Sequence, residues 1–392
     1  MSTRTRVAVV GAGPAGLTTA NVLANHGIDC VVLESGTRGF VENRARAGFV
    51  EEWAVRSLQR HGLADRLLRT AETQSVAEFR FEGARHAFRY GDLSGQRHFV
   101  YPQQLLVSDL VGRYVDELGG DARFGVRDVQ LHDVTGRPAV TFTGADGEQQ
   151  RIDCDFVAGC DGARGVTPAW TGEDTSVARH DYGIGWMALL VEAPPSADGV
   201  LFGIHPRGFA AHMARSAAVT RFYLQVPPGD DPDNWPHERI WGELHARLGV
   251  PGGELVEGPV VEQQVLDMHN YVTEPMSHGR LHLAGESAHL VAPIAAKGMN
   301  LALHDAFLLA EALRAHYAGD ESKLDSYSDD CLARVWQYQE FSQWLSEVFH
   351  SSSAPGDPFR ARTAQARARR LVGSDDLARA TAELYTGVRG AF

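Results

Sequence analysis

The sequence predicts an α/β fold in which a nucleotide-type βαβ layer carries a β-rich insertion and ends in helices. Three observations lead to this prediction. At the N-terminus, a glycine-rich turn joins a β-branched run to a helical pattern. Residues 184–261 are mostly strand-like runs between Pro and Gly turns. Long amphipathic patterns follow residue 301. This order of elements is typical of a nucleotide-binding layer with an inserted sheet domain.

The first motif lies between two short apolar runs, Val7–Val10 and Cys30–Leu33. Residues 11–16 read Gly-Ala-Gly-Pro-Ala-Gly and open a helical pattern, and Glu34 follows the second run. Such glycines allow a tight turn and let a pyrophosphate approach the backbone at a helix N-terminus. A carboxylate at the end of the second strand can accept both hydroxyls of an adenosine ribose. The motif predicts a dinucleotide site without distinguishing FAD from NAD.

The remaining pattern assigns most of the chain to strands or helices. Residues 74–100 alternate as strands do, residues 105–118 have a helical period, and a helix is predicted within residues 235–248 of the β-rich middle. Residues 301–318 and 324–349 are long amphipathic helices. A break rich in Ser, Pro and Gly at residues 351–358 precedes a largely helical C-terminus.

Length, composition and charge narrow the class of protein. The 392 residues, 44% of them hydrophobic, suffice for one large domain or two interlocked ones. The net charge is −13 and no Lys/Arg-rich run occurs in the first three hundred residues, so we expect no nucleic-acid partner. No apolar stretch approaches the roughly 20 residues that span a bilayer, so we expect no membrane association.

The cysteines and histidines favour a cytoplasmic protein without a metal site. No CxxC pair occurs among the four cysteines, which are therefore interpreted as reduced, mostly buried thiols: Cys30, Cys154, Cys160 and Cys331. The seventeen histidines form no HxH or HExxH pattern. His282 and His289 are accordingly interpreted as core or turn residues rather than metal ligands.

Two further motifs carry a family resemblance. Cys160-Asp161-Gly162 follows the apolar run Phe156–Ala158, and the segment 283–289, Leu-Ala-Gly-Glu-Ser-Ala-His, precedes Pro293 and Lys297-Gly298-Met299-Asn300. These segments resemble the DG and GD motifs of the flavoprotein aromatic hydroxylases, the class A flavoprotein monooxygenases. With the N-terminal glycine motif, all three family motifs occur in the expected order.

Within that family the chain is most similar to the 4-hydroxybenzoate hydroxylases, and the similarity runs essentially end to end. The matching segments include residues 44–48, 153–156, 205–209, 215–216, 225–227, 274–276, 296–298 and Tyr385. The resemblance implies the 4-hydroxybenzoate hydroxylase fold, a Rossmann-like FAD-binding domain with a β-sheet substrate domain and C-terminal helices. It also implies FAD, NAD(P)H as co-substrate and a homodimer.

The resemblance divides the chain into three parts. Residues 1–180 are expected to form the FAD-binding domain, with a β excursion at about 74–100. Residues 181–268 are expected to form the substrate-binding β-sheet domain. Residues 269–392 are expected to return to the FAD-binding domain and to supply the C-terminal helices.

The same resemblance implies the cofactor contacts. Glu286, after Gly285, is expected to bind the ribityl hydroxyls. The helix that begins near Gly298 is expected to aim backbone N–H groups at the N1–C2=O edge of the flavin. Arg44 and Arg164 can attract the pyrophosphate of the nicotinamide nucleotide. The full set of expected cofactor-binding residues is Gly11, Gly13, Ala15, Gly16, Glu34, Arg44, Arg46, Gln103, Asp161, Glu286, Lys297, Gly298, Met299 and Asn300.

The expected substrate is a small ring-bearing carboxylic acid. Arg215 resembles the guanidinium that grips its carboxylate and Tyr223 the helping hydroxyl. Arg221, Pro293 and Tyr385 are the expected catalytic residues: the buried charge near the flavin, the carbonyl facing the attacked ring atom, and the hydroxyl behind the para substituent. The expected substrate-binding residues are Gln74, Phe202, Met213, Arg215, Tyr223, Pro293 and Tyr385.

Several positions depart from the family pattern. Phe202 replaces the tyrosine that hands off the phenol proton, and Gln74 falls where the outer histidine of that proton chain would be. Met213 replaces a serine at the carboxylate, and Glu286 replaces an aspartate. The other departures are Ser35, Gly36, Arg164, Pro168 and His269. Because Ser35 and Gly36 offer no charge to a 2′-phosphate, we expect relaxed nicotinamide specificity or a preference for NADH.

These features predict an FAD-dependent monooxygenase that hydroxylates a substituted benzoate with NAD(P)H and O2. An amino-bearing 4-hydroxybenzoate, hydroxylated as by a 3-amino-4-hydroxybenzoate 2-monooxygenase, is the expected substrate because an amine activates the ring without deprotonation. Plain 4-hydroxybenzoate is the alternative. Other classes are a flavin halogenase, disfavoured by the missing WxWxIP motif, a flavin reductase or oxidase, and a flavin-binding protein without oxygen insertion.

Overall fold

The structure is a computed structural model that describes residues 2–44, 48–351 and 357–387. Arg46, an expected cofactor contact, lies outside the described residues. The strands are β1 Ser2–Arg4, β2 Val7–Val10, β3 Cys30–Glu34, β4 Phe49–Glu51, β5 Glu72–Gln74, β6 Ala77–Phe81, β7 Ala84–Phe88, β8 His98–Val100, β9 Asp121–Phe124, β10 Arg127–His132, β11 Ala139–Thr143, β12 Gln149–Asp153, β13 Phe156–Gly159, β14 Ser176–Val191, β15 Val200–Gly203, β16 Ala210–Ser216, β17 Val219–Val226, β18 Val260–Glu274, β19 Ser277–His278, β20 Leu281–Leu283 and β21 His289–Leu290.

The helices follow the predicted periodic segments closely. They are α1 Pro14–Asn25, α2 Arg38–Asn43, α3 Glu52–Arg60, α4 Asp65–Thr70, α5 Tyr90–Ser94, α6 Gln103–Val111, α7 His237–Leu248, α8 Gly298–Tyr317, α9 Ser322–His350, α10 Pro358–Gly373 and α11 Asp375–Tyr385. Short 3₁₀ turns include Gly285–Ser287 and Pro293–Ala295. None of the helices in the described ranges combines the length and apolar character that crossing a bilayer requires.

The N-terminal βαβ unit starts a sheet of order β19-β20-β13-β2-β3-β9. Strands β2, β3 and β13 pair in parallel, and their apolar side chains are buried on both faces. Such doubly covered parallel strands read as continuous hydrophobic runs, which is why the sequence identifies them. Gly11 has φ +106° and its Cα faces the Cys160 carbonyl so closely that any side chain would clash there.

The second large sheet has the order β21-β18-β14-β17-β16-β15-β6-β7. The excursion at residues 77–88 joins it through a parallel pairing of β6 with β15. One face packs against α7 through residues such as Leu189, Phe222 and Trp241. The other face packs against the C-terminal helices through residues such as Phe202 and Phe349. Because successive side chains of a strand point to opposite faces, one face of this sheet is covered by α7 and the other by α9 and α11.

The expected domain boundaries after residues 180 and 268 fall inside strands β14 and β18. These two long strands pair from Ser176–Glu274 at one end to Val191–Val260 at the other. The division into domains at these residues stays a prediction.

A small three-stranded sheet of order β4-β8-β5 stands beside the large one. His98 at the start of β8 is the register partner of both Glu51 and Gln74. Residues 74–100, predicted as strands, also contain the short helix α5. The pairing places three polar residues distant in sequence in one row, next to the C-terminal end of α11.

Candidate active site

Glycines and an acidic residue shape the N-terminus of α1. The Glu34 carboxylate accepts backbone N–H bonds from Ala12 at 2.8 Å and Gly36 at 2.7 Å. Gly13 is the N-cap of α1, and a Cβ built there would meet nothing within 4 Å. An uncapped helix N-terminus that opens onto space presents backbone donors to an anion. The geometry therefore fits the pyrophosphate of a dinucleotide.

A second uncapped helix N-terminus lies at α8. A Cβ at Gly298 would also meet open space, and the N-cap Lys297 makes no capping bond with its side chain. The chain enters this helix from the 3₁₀ turn Pro293–Ala295 through Ala296, whose φ of +55° is in the left-handed region. A non-glycine residue held in that region is a feature that clusters at ligand sites. The free N–H groups and positive dipole end of α8 suit the electron-rich edge of a flavin.

The three sequence motifs meet around these helix ends. The Cys160-Asp161 turn contacts Gly11, a Cβ at Gly162 would lie 4.0 Å from Cβ of Glu286, and Gly285 packs between the first turn of α1 and Ala302 of α8. Glu286 is partly exposed and faces the Gly162 turn. The convergence of the glycine turn, the DG turn and the GD turn fits one extended cofactor across β2, β13 and α8.

Three expected cofactor contacts use their side chains elsewhere. The Asp161 carboxylate accepts bonds from Val166 N at 2.6 Å and Thr167 N at 3.0 Å and from the Thr167 hydroxyl, and burial raises its pKa. The Asn300 amide binds the backbone of Phe49 and accepts from that of Glu51. These carboxylate and amide groups hold the scaffold together, so only the backbone of these residues is left for a ligand.

Lys297 is the third of these residues. Its ammonium group donates to the Glu51 carboxylate and to the Tyr385 carbonyl at 2.8 Å, and the side chain is fully buried. Burial lowers the pKa of Lys297, while the Glu51 charge opposes that shift. The side chain thus points into the protein rather than towards the mouth of α8.

The remaining expected cofactor residues lie at or near the ends of three helices. Gln103 begins α6, Met299 is buried in the first turn of α8, and Arg44 ends α2 with its guanidinium 5.7 Å from the Phe40 ring centroid. Among the expected glycines, Gly13 and Gly298 face open space at the two helix ends, whereas Gly11 and Gly16 pack closely against neighbouring backbone.

Three of the expected substrate residues, Phe202, Met213 and Tyr223, share one face of the large sheet with Arg221. Tyr223 pairs with Ala211, which pairs with Phe202, and Met213 pairs with Arg221. Residues directly opposite on neighbouring strands project to the same side. Tyr223 also packs against Trp186, with ring centroids 4.9 Å apart. Sequence positions spread over β15, β16 and β17 therefore form one surface.

Arg215 closes one end of that surface. A Cβ at Gly48 would lie 2.5 Å from its Nη1, so the guanidinium lies directly on the backbone of Gly48. Burial lowers the pKa of Arg215, Tyr223 opposes the shift and Arg221 adds to it. A desolvated guanidinium beside a phenol hydroxyl is suited to hold a carboxylate bidentately.

Arg221 is buried, as expected, and has an acidic neighbour. Its side chain is 8% exposed, and Nη1 lies 3.6 Å from the carboxylate of Glu262, which is on β18 with β14 between the two strands. Its Nε finds no hydrogen-bond partner among the described residues. A buried guanidinium with a spare donor is available to an anionic ligand.

Aromatic rings close the opposite end. Tyr385, at the end of α11, is buried with its ring 6.5 Å from Phe202, and burial raises the pKa of Tyr385. Phe202 stacks on Phe79 at 5.6 Å and Phe349 at 4.9 Å. Pro293 is exposed although its neighbours Ala292 and Ile294 are buried in the same hydrophobic cluster. It thus lies on an open surface next to this aromatic wall.

The sequence patterns do not identify two residues beside Tyr385. The rings of Tyr90 and His98 each lie 5.1 Å from the Tyr385 ring. Nothing in the sequence marks them, because their proximity depends on the pairing of β4, β8 and β5. Gln74, which the resemblance does single out, is the register partner of His98.

The two histidines interpreted as core residues make buried polar contacts. His282 binds Ser277 at 2.8 Å, and His289 binds Asp305 at 2.6 Å. Asp305 also accepts from Gly285 N, which ties the GD turn to α8. His304, Asp305 and Cys331 bring possible ligand atoms within 4.8 Å of one another. Burial keeps the pKa of the Cys331 thiol well above its ordinary value.

Comparison with known proteins agrees with this geometry. Residues 4–342 match the family described as FAD binding domain. The chain is 36% identical over 389 residues to the p-hydroxybenzoate hydroxylase of Acinetobacter baylyi, covering 98% of this chain and 96% of that one. It is 29% identical over 336 residues to a 3-(3-hydroxy-phenyl)propionate/3-hydroxycinnamic acid hydroxylase of Mycolicibacterium gilvum, covering 82% of this chain and 56% of the relative.

Solved structures show the same fold. The p-nitrophenol 4-monooxygenase of Pseudomonas putida superposes with a TM-score of 0.82 at 22% identity, covering 100% of both chains. Aklavinone-11 hydroxylase in complex with FAD and aklavinone superposes with a TM-score of 0.74 at 22% identity, covering 92% of this chain and 70% of that one. The chain belongs to the FAD-binding-domain family of flavin-dependent aromatic hydroxylases, and it is an FAD-dependent monooxygenase with the 4-hydroxybenzoate hydroxylase fold.

Proposed function

We propose that the enzyme hydroxylates a benzoate whose ring carries an electron-donating amine, in the manner of a 3-amino-4-hydroxybenzoate 2-monooxygenase. The observation that carries the proposal is the make-up of the substrate face. Arg215 and Tyr223 offer a carboxylate grip at one end, and Phe202 leaves the other end without the hydroxyl that the family uses to take a phenol proton. The residues that would bind the substrate carboxylate are therefore retained, whereas the hydroxyl that would help to activate the ring by taking the phenol proton is missing.

The carboxylate grip orients the substrate. A guanidinium and a phenol hydroxyl that converge on one carboxylate fix the ring in the plane of the pocket and set which ring carbon faces the cofactor. The Arg215 guanidinium lies against Gly48, where a Cβ would come within 2.5 Å of its Nη1, so the absence of a side chain at Gly48 leaves room for it. Pro293, exposed at the entry to α8, would border the ring atom that is attacked.

Bound FAD, reduced by NAD(P)H, supplies the activation of O2. One oxygen atom enters the ring, the other leaves as water, and the nicotinamide is oxidised. The chain's own residues bind the acid, exclude water with the aromatic wall around Phe202, and hold Tyr385 at the para end. Buried Arg221 offers a positive charge to anionic groups in the site.

The amine matters because the transferred oxygen is electrophilic. A phenol becomes strongly activating when it ionises, which requires a proton acceptor. Phe202 has no hydroxyl and Gln74 does not titrate. An amine donates its lone pair while neutral, so its ortho and para carbons are activated without proton transfer. This supports 3-amino-4-hydroxybenzoate, hydroxylated at C2.

Plain 4-hydroxybenzoate is the second candidate. Its support is the 36% identity over nearly the whole chain to a protein named p-hydroxybenzoate hydroxylase. Tyr385 remains at the para end, so one phenol hydroxyl is still available to the substrate. A flavin-binding protein without oxygen insertion is the alternative of another class.

A substrate panel tests the proposal. Holoenzyme is assayed with 3-amino-4-hydroxybenzoate, 4-aminobenzoate and 4-hydroxybenzoate at matched concentrations, following NAD(P)H oxidation and product mass. We expect the most efficient coupled hydroxylation with an amino-bearing acid. The amine preference is rejected if 4-hydroxybenzoate is hydroxylated at least as efficiently as both amino-substituted benzoates. NAD(P)H oxidation that yields hydrogen peroxide and no hydroxylated product with any acid rejects oxygen insertion.

We also propose that the enzyme acts as a homodimer in the cytoplasm. The dimer is implied by the resemblance, and its test is the mass in solution by sedimentation. The four cysteines are free and buried, as in a reducing compartment. Fractionation of cells that produce the native chain tests its location.

A further inference from the structure

The Asn270 side chain holds the loop that leads to Pro293. Asn270 lies on β18 and is 5% exposed. Its Oδ1 accepts the backbone N–H of Ala292 at 2.7 Å, and its Nδ2 donates to the Tyr182 hydroxyl at 2.9 Å. Because a backbone N–H can only donate, the amide atom that faces Ala292 is the oxygen. Both polar ends of this buried amide therefore have partners.

The bond to Ala292 begins where the backbone pairing of the loop ends. The last register pair of β21 with β18 is Tyr271–Leu290. Beyond it the chain turns towards the 3₁₀ turn Pro293–Ala295 and α8. Asn270 is next to Tyr271 on β18, and its side chain takes up the attachment at Ala292. A side chain of the large sheet thus fixes the segment that enters α8.

A bulge in β14 supplies the partner on the other side of the amide. Residues 182–184 of β14 lie opposite the single residue Met268 of β18. Gly183 has a φ of +67°, in the left-handed region that favours glycine. Such a bulge bends its strand and re-aims the side chains beside it. Here the Tyr182 hydroxyl reaches the Asn270 amide, two positions beyond Met268 on β18.

The ribbon of β14 and β18 connects two parts of the candidate site. Trp186 follows the bulge on β14 and packs against Tyr223 of the substrate face, with ring centroids 4.9 Å apart. The loop that Asn270 holds leads to the N-terminus of α8, whose geometry suits the edge of a flavin. Asn270 therefore ties the sheet that would hold the benzoate to the segment that would border the flavin.

We propose that Asn270 is a positioning residue that acts on Pro293 through the Ala292 backbone. It holds the start of α8 at a fixed distance from the carboxylate grip of Arg215 and Tyr223. That distance decides which ring carbon faces the flavin and whether oxygen enters the ring or is lost as hydrogen peroxide. Misplacing reacting groups by about 1 Å can cost about 10²-fold in rate. The inference rests on the proposed function, since it needs a benzoate bound on this sheet.

Substitutions remove the link to different extents. Asn270→Leu keeps a branched side chain and removes both bonds, whereas Tyr182→Phe removes only the hydroxyl. Asn270→Asp keeps one oxygen for the Ala292 N–H and a second for the Tyr182 hydroxyl, so it is the conservative variant that should restore the wild-type behaviour. Thr220→Val is the matched control. It removes a buried hydrogen bond to the Ala193 carbonyl, at 2.9 Å, on the face of the sheet that meets α7.

Two measurements on FAD-loaded enzyme separate positioning from folding. Deuterium exchange, followed by mass spectrometry of the peptide that contains Ala292, reports the backbone bond without turnover. The product formed per NAD(P)H oxidised, with the benzoate that the wild type hydroxylates best, reports the coupling of NAD(P)H oxidation to hydroxylation. This ratio does not depend on how much of the enzyme is folded, so a merely structural role of Asn270 would leave it unchanged.

We expect Asn270→Leu to speed the exchange of the Ala292 amide and to lower the product yield per NAD(P)H, each by at least about threefold. Tyr182→Phe should cause smaller changes in the same direction, and both Asn270→Asp and Thr220→Val should stay near wild type. A yield in Asn270→Leu equal to that of the wild type, or an Ala292 amide that exchanges no faster, overturns the inference and leaves the proposed function intact. Failure of the wild type to hydroxylate any benzoate overturns the proposed function and the inference together.

Discussion

The ammonium group of Lys297 binds the carboxylate of Glu51 in the interior, where both side chains are fully buried. The Tyr338 hydroxyl also donates to Glu51, at 2.7 Å, and Lys297 donates to the Tyr385 carbonyl. The pair thereby joins β4, the start of α8 and the end of α11, the elements that flank the para end of the substrate face. Its integrity fixes the position of Tyr385.

Removal of one member of this pair should destabilise the fold. Glu51→Gln leaves the Lys297 charge buried without its partner, which typically costs about 3–5 kcal/mol. The double variant Glu51→Gln/Lys297→Met should recover part of the loss. Urea unfolding of the FAD-free protein measures the free energy of unfolding of the single and the double variant. Glu42→Gln, which breaks a partly exposed pair with Arg38, is the control with an effect of about 0–1 kcal/mol. If Glu51→Gln and Glu42→Gln lowered the free energy of unfolding equally, the buried pair would not be a major source of stability.

Buried neutral histidines should make stability depend on pH. Burial lowers the pKa of His98 and His350 to about 3 and of His212 and His282 to about 4. Unfolded histidine titrates near 6.5, so below that pH the unfolded chain binds more protons than the folded one. Stability is then full above about pH 6.5 and falls as the pH drops towards 4, with a limiting slope of about 1.4 kcal/mol per pH unit for each histidine.

Urea unfolding between about pH 7 and 5 checks that slope, because most carboxylates titrate lower. His212→Asn should reduce the pH dependence of the free energy of unfolding by the contribution of one histidine. This expectation holds whatever the substitution does to stability at neutral pH. A free energy of unfolding that stays constant or rises as the pH falls over this range would contradict the burial of neutral imidazoles.

Two glycines of the first motif should respond differently to substitution. Gly11→Ala places a side chain against the Cys160 carbonyl at a φ of +106° and should destabilise the apoprotein. Gly13→Val points into open space and should leave apoprotein stability near wild type while abolishing FAD binding. Thermal unfolding of the apoprotein and flavin absorbance of the purified enzyme separate the two effects. Retention of FAD by Gly13→Val would exclude the α1 N-terminus as the pyrophosphate site.

Substitutions at the carboxylate grip should affect the substrate and spare FAD. Arg215→Ala should weaken benzoate binding by about 2–5 kcal/mol, because the acid loses its charged partner. Gly48→Ala should weaken it as well, since a Cβ would lie 2.5 Å from Nη1 of Arg215 and displace the guanidinium. Flavin absorbance titration with the acid gives Kd for each variant. Benzoate binding by Arg215→Ala as tight as by wild type would show that another residue holds the carboxylate.

The nicotinamide preference should be relaxed or favour NADH. The Ser35 hydroxyl lies 3.4 Å from the Glu34 carboxylate, and Gly36 has no side chain, so neither provides a charge for a 2′-phosphate. Steady-state kinetics with both nucleotides measure the preference. A kcat/KM more than about tenfold higher with NADPH, equivalent to about 1.4 kcal/mol, would contradict the expectation.

Local patterns were sufficient to predict most of the fold. The run Val7–Val10, the glycine turn and α1 follow directly from buried parallel strands and a helix start, and α8 and α9 from their amphipathic period. The division into domains after residues 180 and 268 stays a prediction. Strands β14 and β18 continue through both points, and no turn residue marks where a strand passes from one packing environment to another.

The roles of the candidate site residues stay predictions, while the structure shows which of their side chains lie together. Phe202, Arg221 and Tyr223 lie on one sheet face, because their positions alternate in step along paired strands. The Asp161 carboxylate, in contrast, binds a turn five and six residues further along the chain, which the DG motif does not reveal. His98 reaches Tyr385 only because β8 pairs between β4 and β5, and such long-range pairing leaves no signal in a single sequence.

The most direct test of the central claim, that the enzyme inserts oxygen into a benzoate ring, is turnover under isotopically heavy O2. FAD-loaded enzyme, NADH and 3-amino-4-hydroxybenzoate are reacted in normal water and the product is analysed by mass spectrometry. We predict a hydroxylated acid that carries one heavy oxygen atom per molecule, with stoichiometric NADH consumption. A product without the label, or NADH consumption that yields only hydrogen peroxide, would contradict the assignment of this chain as an aromatic hydroxylase acting on such acids.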